Sequence, residues 1–162
     1  MKKLGKIAKE WIIAFCIAVI IAAIVFFICM PMRVEGTSME NTLYDGQVIL
    51  VSRLAKYVDK INYKDIIIVS YTENNKTEKI VKRVIGKEGD HIQIYNQSVY
   101  VNSEKLDENY CVGGTEGNVD IFVPKDCYFI LGDNRIVSKD SRYFGCISKK
   151  NIFGKVIKVI DK

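Results

Sequence analysis

The side chains best suited to chemistry lie in three short segments: a turn that contains Ser38, an apolar segment that contains Lys82, and a polar cluster that follows Leu131. A serine hydroxyl becomes a nucleophile when a nearby base takes its proton, and histidine is a common base. The chain has a single histidine, His91, at the start of an alternating segment, where we interpret it as structural or solvated. Lysine is the alternative base, because burial in a low-dielectric site disfavours its charged form and lowers its pKa.

Two cations lie side by side in the apolar segment from Ile80 to Ile85. Successive side chains of a strand point to opposite faces, so Lys82 and Arg83 lie on different faces, each between apolar neighbours. Periodicity does not choose between them, but an arginine stays protonated in proteins and cannot accept a proton. Lys82 is therefore the candidate base. Two plainer interpretations stay open: Lys82 as an exposed strand lysine paired with a carboxylate, and Ser38 as an ordinary turn serine.

The third segment, directly after the apolar run Tyr128–Leu131, is dense in polar side chains: Asp133, Asn134, Arg135, Ser138, Asp140, Ser141 and Arg142. Such density indicates a hydrogen-bonded network. A buried neutral lysine needs a hydroxyl or carbonyl group to orient its amine. A carboxylate–guanidinium pair such as Asp140 with Arg142 can hold the loop that supplies this group. The plainer alternative is a salt-bridged turn.

Seven short apolar runs, separated by turn signals, predict the β-strands that position these residues. The runs are Val48–Val51, Ile66–Tyr71, Lys79–Ile85, His91–Tyr95, Ser98–Val101, Tyr128–Leu131 and Val156–Ile160. We therefore predict a single, mainly antiparallel β domain. Residues 102–121 are polar and contain Gly113, Gly114 and Gly117, which predicts a surface loop.

An uncharged run from Ile12 to Met30 precedes this domain. As a helix it is about 28 Å long, close to the hydrocarbon thickness of a bilayer. Because basic residues precede the run, we predict a cytoplasmic basic tail at residues 1–10, a transmembrane helix at residues 11–30 and an extracytoplasmic catalytic domain at residues 31–162. A cleaved secretory signal is the alternative, but its apolar region is normally shorter and is followed by a small-x-small site.

Composition argues against two classes of function. Much of the net charge of +5 comes from the N-terminal tail, and no block of lysine and arginine with interleaved aromatics indicates a nucleic-acid binder. With one histidine and no CxxC motif, no structural zinc site is expected, and serine-lysine chemistry needs no metal and no cofactor. The outer domain contains Cys111, Cys127 and Cys146, which permit at most one internal disulfide, and the spacing does not identify the pair.

The segments resemble, in order, the four signature boxes of type I signal peptidases, the membrane-bound serine-lysine endopeptidases of bacteria. Ser38-Met39 with Thr42-Leu43 resembles the box of the nucleophile, and Asp45-Gly46 with the apolar run after it resembles the next box. The box of the lysine base is similar to Lys82-Arg83-Val84-Ile85-Gly86 with Gly89-Asp90. The last box is similar to Gly132-Asp133-Asn134-Arg135, Ser138, Asp140-Ser141-Arg142 and Gly145. The resemblance spans nearly the whole chain.

The resemblance implies a role for each matching residue. Ser38 is expected to be the nucleophile, Lys82 the general base and Ser138 the hydroxyl that orients the lysine amine. The expected supporting residues are Asp140, Arg142 and Arg83. The residues expected to line the pockets for the small side chains of an Ala-x-Ala cleavage site are Met39, Leu43, Ile80 and Val81. In this family the substrate lies extended along β-strands, where main-chain hydrogen bonds accept any sequence and small pockets reject large side chains.

Several positions depart from the family pattern. Asn41 stands where the nucleophile box usually has proline, and Ile136 and Val137 stand where the last box usually begins with aspartate. Gly36 occupies the place where some members have a serine that joins the oxyanion hole. The hole is therefore expected to depend on backbone N–H groups, including that of Ser38.

The residues and the resemblance together predict a serine endopeptidase of the plasma membrane that removes signal peptides from exported precursors through an acyl-enzyme. Its expected partners are precursor signal peptides and membrane lipid. Self-cleaving repressors share serine-lysine chemistry on a similar β fold, but they carry a DNA-binding helical domain where this chain has the apolar run. The alternative from a different class is a catalytically silent anchored β domain that binds exported proteins or assembles a secretion or pilus complex.

Overall fold

Strands with alternating apolar side chains build two antiparallel sheets that follow a long helix. The structure, a computed structural model, describes residues 2–57 and 61–160, and at residues 2–8, 24, 25, 27 and 56 it describes the backbone alone. Helix α1 spans Lys2–Ile28 and helix α2 spans Ser141–Phe144. The strands are β1 Cys29–Arg33, β2 Val48–Ser52, β3 Ile66–Glu73, β4 Lys76–Lys87, β5 His91–Tyr95, β6 Ser98–Val101, β7 Glu104–Lys105, β8 Val119–Phe122, β9 Cys127–Leu131, β10 Ile147–Ser148 and β11 Ile152–Val159.

Seven strands form the main sheet in the order β1-β2-β11-β3-β4-β9-β10, and four form a second sheet in the order β7-β6-β5-β8. Neighbouring strands pair antiparallel throughout both sheets. The prediction of a mainly antiparallel β fold is therefore confirmed.

One cluster of buried apolar side chains, which we call the lower cluster, contains Val34, Met39, Leu43, Ile49, Val51 and Ile68.

All seven predicted strands are present, and β5 and β6 have the predicted bounds. The structure adds β1, β7, β8 and β10, which are short or lack an uninterrupted apolar run. Residues 102–121, predicted as a surface loop, contain β7 and most of β8. These residues are therefore a loop only in part, because pairing with β6 and β5 satisfies backbone groups that the polar side chains do not reveal.

Helix α1 ends at Ile28, earlier than the predicted end at residue 30. The next residues form β1, in which Pro31 lies opposite Leu50 of β2. Proline is tolerated there because β1 is the edge strand of the main sheet. Among the residues that the structure describes, no helix combines the length and the apolar character needed to cross a bilayer. The transmembrane helix at residues 11–30 therefore stays a prediction.

The cysteines Cys16, Cys29, Cys111, Cys127 and Cys146 are all free thiols. Cys127 and Cys146 pack against a cluster of apolar side chains from both sheets and act there as small apolar residues. Burial raises the pKa of the Cys146 thiol to about 11, so this group stays protonated at neutral pH.

Strand β4 carries the candidate base at a step in the main sheet. Strand β3 pairs with β4 from Lys76 to Arg83, whereas β9 pairs with the opposite edge only from Arg83 onward. Within the described chain, the edge of β4 from Lys76 to Lys82 therefore has no strand partner on that side. We call this stretch the open edge of β4, and the turn that carries Ser38 lies beside it.

Candidate active site

Ser38 lies at the start of a tight turn between β1 and β2. The backbone N–H groups of Thr42 and Leu43 donate to the Met39 carbonyl at 3.0 and 2.8 Å. The Met39 and Leu43 side chains are 1% and 0% exposed, because both are part of the lower cluster. Two buried side chains and two hydrogen bonds therefore hold the backbone that positions the Ser38 hydroxyl.

Lys82 is the basic side chain that the fold brings to Ser38. The residue is 3% exposed, and its amine donates to Ser38 Oγ at 2.7 Å and to the Val81 carbonyl at 3.0 Å. This burial excludes the interpretation of Lys82 as an exposed strand lysine. When the amine is neutral, the same 2.7 Å contact lets the serine hydroxyl donate to the nitrogen.

The surroundings of Lys82 favour its neutral form. Burial lowers the pKa of Lys82 from 10.5 to about 8, because the charged amine loses its water. The carboxylates of Asp140 and Asp133 act in the opposite direction and favour the charged form. With a pKa near 8, an appreciable fraction of Lys82 is neutral slightly above neutral pH, where it can accept a proton.

The loop after β9 packs against the serine turn through its backbone. The Asn134 N–H donates to the Ser38 carbonyl at 3.1 Å. A methyl group added at Gly132 would lie 2.5 Å from the Ser38 carbonyl oxygen and would overlap the Ser138 side chain. Glycine at position 132 therefore permits the close approach of the two segments, and a larger residue would push them apart.

Ser138, predicted to orient the lysine amine, is buried beside Gly132. Within the part of the chain that the structure describes, its hydroxyl has no hydrogen-bond partner. The fold thus brings Ser138 into the site without a hydrogen bond to Lys82. A buried hydroxyl without a partner costs about 1–3 kcal/mol, so a hydrogen bond from this hydroxyl to a buried amine would be favourable.

Asp140 and Arg142, predicted as supporting residues, form a buried pair in the same loop. Arg142 donates through Nε and Nη2 to the two carboxylate oxygens of Asp140 at 2.8 and 3.0 Å. The Gly132 N–H also donates to Asp140 at 3.0 Å, and Arg142 Nη2 donates to the carbonyls of Arg135 and Ser138 at 2.9 and 3.2 Å. The pair therefore fixes the backbone of the loop at several points along its length.

Arg83, the third supporting residue, forms a buried pair with Asp133, a residue without a predicted role. Arg83 donates through Nε and Nη2 to the Asp133 carboxylate at 2.8 and 2.5 Å, and Thr42 Oγ1 donates to the same carboxylate at 2.5 Å. The guanidinium also lies 4.0 Å from the centroid of the Tyr110 ring. These contacts join β4, the loop after β9 and the serine turn. Thr42 and Asp133 lie in the polar motifs, whereas nothing in the sequence around Tyr110 indicates its position.

Arg135 attaches the segment predicted as a surface loop to the site. Its guanidinium donates to the Glu108 carboxylate at 2.5 and 3.1 Å and to the Thr115 hydroxyl. Val112 and Asn134 form an isolated β-bridge in the same region. Neither Glu108 nor Thr115 is among the predicted site residues, because both lie outside the motifs.

Two cavities meet at Ser38 and Lys82. A groove of about 740 Å³ runs along the open edge of β4. A second cavity of about 530 Å³, which we call the upper cleft, lies on the opposite face of β4 from the lower cluster, and its apolar walls are Tyr71, Ile80, Val137 and Phe144.

The four residues predicted to line substrate pockets divide into two pairs. Ile80 and Val81 line the groove along β4. Met39 and Leu43 are instead buried in the lower cluster, together with Ile68, which does line the groove. Met39 and Leu43 therefore support the floor of the groove from below.

The positions that depart from the family pattern have a structural explanation in one case. Asn41 has a φ of +82°, a left-handed conformation that proline, with φ near −65°, cannot adopt. Ile136 and Val137 are 76% and 56% exposed.

Among the described residues, the Ser38 N–H has no acceptor, so it can donate to a developing oxyanion.

His91 lies in the second sheet and takes no part in this site. Its Nε2 is 2.5 Å from the Asp120 carboxylate, and its ring stacks on Phe122 with centroids 4.4 Å apart. These contacts agree with the structural interpretation of the only histidine.

The chain is similar to known proteins along most of its length. A family model described as "Signal peptidase, peptidase S26" matches residues 8–160. A signal peptidase I of Bacillus licheniformis is 39% identical over 160 residues, which cover 90% of this chain and 84% of that protein. A signal peptidase IB of Staphylococcus aureus is 36% identical over 167 residues, which cover 91% of this chain and 86% of that protein. The crystal structure of a signal peptidase I from Enterococcus faecalis V583 matches with a TM-score of 0.52 and 27% identity, over 60% of this chain and 96% of that one.

Proposed function

The chain belongs to the signal peptidase family, peptidase S26, and we propose that it uses Ser38 and Lys82 to cut signal peptides from exported precursors after an Ala-x-Ala type sequence. Membership in this family makes the chain a serine peptidase. The observation that carries the assignment of the dyad is the 2.7 Å contact between the buried Lys82 amine and Ser38 Oγ.

In the first half of the reaction, neutral Lys82 takes the proton of the Ser38 hydroxyl as Oγ attacks the carbonyl carbon of the scissile bond. The tetrahedral oxyanion accepts a hydrogen bond from the Ser38 N–H. When the carbon–nitrogen bond breaks, the Lys82 ammonium gives its proton to the leaving amine. The products are an acyl-enzyme ester on Ser38, the released mature protein and a neutral lysine.

In the second half, neutral Lys82 takes a proton from a water molecule, and the resulting hydroxide attacks the ester carbon. The ammonium then returns this proton to Ser38 Oγ as the signal peptide leaves. The buried hydroxyl of Ser138 has no partner among the described residues. In this mechanism it forms a hydrogen bond with the neutral Lys82 amine and so orients that amine. Lys82 thus acts as base and acid twice in each cycle.

The open edge of β4 supports an extended substrate. Its backbone groups between Lys76 and Lys82 have no strand partner on that side in the described chain, so a peptide can add as another strand. Alternate side chains of that peptide face the lower cluster, where Val81 and Ile68 border the groove. The floor there is closed by buried apolar side chains, which favours small apolar residues such as alanine at two alternate positions.

Helix α1 is the proposed anchor, with residues 1–10 on the cytoplasmic side and residues 31–162 outside. Large apolar side chains are exposed along its described part, among them Trp11, Phe15 and Phe26. Exposed apolar surface of this extent is typical of a membrane or protein contact, and basic residues precede it. Anchoring would bring the groove to the membrane face where precursors emerge.

The cleavage position tests the function directly. The full-length protein in detergent is incubated with a precursor that carries an Ala-x-Ala sequence, and mass spectrometry identifies the new amino terminus. We expect a single cut after the second alanine. A matched precursor with leucine in place of that alanine should stay intact, because the groove rejects a large side chain. Equal cleavage of both precursors, or a cut elsewhere, would contradict the proposal.

The pH dependence tests the role of Lys82. Only the neutral amine accepts the serine proton, so kcat/KM should rise with pH and level off above a midpoint near 8. A solvent-exposed lysine would instead place the midpoint near 10.4. The measurement is kcat/KM for one peptide substrate across this range. A profile that is flat from neutral to alkaline pH would exclude a titrating lysine base.

A further inference from the structure

Apart from Ser38 and Lys82, the upper cleft is lined by residues to which the proposed reaction assigns no chemical role, and its walls include the apolar side chains Tyr71, Ile80, Val137 and Phe144. It borders Ser38 and Lys82 and lies on the face of β4 that carries Ile80. The rings of Tyr71 and Phe144 form one wall, with centroids 4.5 Å apart. Its volume of about 530 Å³ is large enough for a sizeable side chain.

Charged residues at the rim of the upper cleft neutralise one another. Lys139 Nζ lies 2.6 Å from the Glu73 carboxylate, and Lys76 Nζ lies 2.6 Å from the Glu78 carboxylate. The first of these pairs joins the end of β3 to the loop that carries Val137. Among the described lining residues, Lys82 is therefore the one charged group without a carboxylate in an ion pair. A charged substrate side chain would consequently find little electrostatic attraction at the rim of the upper cleft.

An extended substrate on the open edge of β4 must present side chains to both faces of the sheet. The two small residues of the Ala-x-Ala sequence are separated by one position, so both face the lower cluster. The middle residue then faces the opposite side, which is the side of Ile80 and the upper cleft. Alternation thus directs this one side chain of the recognition sequence toward Val137.

We propose that the upper cleft binds the side chain of the middle residue of the Ala-x-Ala sequence, and that Val137 makes this subsite prefer apolar side chains. This inference rests on the proposed function. Val137 lines the cleft and is 56% exposed, so its apolar surface is free to contact a substrate. Tyr71, Ile80 and Phe144 provide the remaining apolar contacts.

The neighbouring residue supplies a matched control. Ile136 is 76% exposed in the same loop, but it lies against Gly113 and is not one of the residues that line the upper cleft. The variants Val137→Asn and Ile136→Asn therefore remove the same kind of surface from adjacent positions. Both positions are exposed, so neither change is expected to unfold the protein.

The experiment compares peptides that differ only at the middle residue, with leucine or asparagine between the two alanines. For the unaltered full-length enzyme in detergent we expect kcat/KM to be about tenfold higher for the leucine peptide. Val137→Asn should reduce this ratio to about twofold, whereas Ile136→Asn should leave it unchanged. A second pair of peptides carries leucine or asparagine directly after the cleavage site instead. The ratio of kcat/KM for this pair should be the same for the unaltered enzyme and for Val137→Asn.

Each outcome decides the proposal. An equal rate for both peptides with the unaltered enzyme, or a ratio that Val137→Asn does not change, would overturn it while leaving signal-peptide cleavage intact. A loss of the ratio in Ile136→Asn, or an effect that follows the residue after the cleavage site, would also overturn it. If the unaltered enzyme cleaves none of the peptides, both this inference and the proposed function fail.

Discussion

Replacing Lys82 by methionine is expected to lower kcat/KM for precursor cleavage by at least about 10³-fold, since a positioned acid–base group contributes 10²- to 10⁴-fold and this one acts in both halves of the reaction. Methionine keeps the unbranched apolar stem but cannot accept the Ser38 proton. Ser38→Ala should reduce the rate at least as strongly, because no acyl-enzyme can form. Cleavage is measured with purified full-length protein. A rate close to that of the unaltered enzyme in either variant would refute the dyad.

A matched lysine and a stability measurement separate lost chemistry from lost folding. Lys105, an exposed residue of β7, can be changed to methionine and should retain full activity. Lys82→Met should unfold at a higher temperature than the unaltered protein at pH 7, by an amount that corresponds to up to about 3 kcal/mol. The pKa of Lys82 is about 8 in the folded protein and 10.5 for the reference, so between pH 8 and pH 10.5 the unfolded chain binds more protons than the folded one. The stability of the unaltered protein therefore rises with pH over this interval. The difference in unfolding temperature between the unaltered protein and Lys82→Met should shrink accordingly.

Replacing Asp133 by alanine is expected to destabilise the fold by about 3–5 kcal/mol, because it leaves the buried Arg83 guanidinium without its carboxylate. Asp133 is fully buried and accepts hydrogen bonds from Arg83 and from Thr42 in the serine turn. The loss should therefore also reduce cleavage at temperatures where the variant is still folded. Thermal unfolding followed by circular dichroism gives the first effect, and kcat/KM below the transition gives the second.

Two further variants show whether the buried pair is the cause. Asp120 forms an exposed ion pair with His91 in the second sheet, so Asp120→Ala should change stability little. The double variant Arg83→Met/Asp133→Leu removes both charges and should be less destabilised than Asp133→Ala alone. If Asp133→Ala unfolds at the same temperature as Asp120→Ala, the pair does not hold the site together.

The sequence by itself determined the features that depend on consecutive residues. Period-two alternation around Lys82 and Arg83 identified β4 and separated the two cations onto different faces. The inability of arginine to lose its proton then left Lys82 as the base candidate. The same local patterns located all seven predicted strands, with β5 and β6 at the bounds that the structure has.

Only the tertiary structure decided what depends on residues far apart in the chain. The partner of Arg83 is Asp133, the Ser38 carbonyl is held by Asn134, and Met39 and Leu43 are buried in the lower cluster. These contacts follow from the register of β4 against β3 and β9, which determines where β9 stops pairing and where the open edge begins. Local patterns do not encode that register, because it results from packing whole sheets together. The same packing removes water from Lys82, and this desolvation lowers the pKa of its amine.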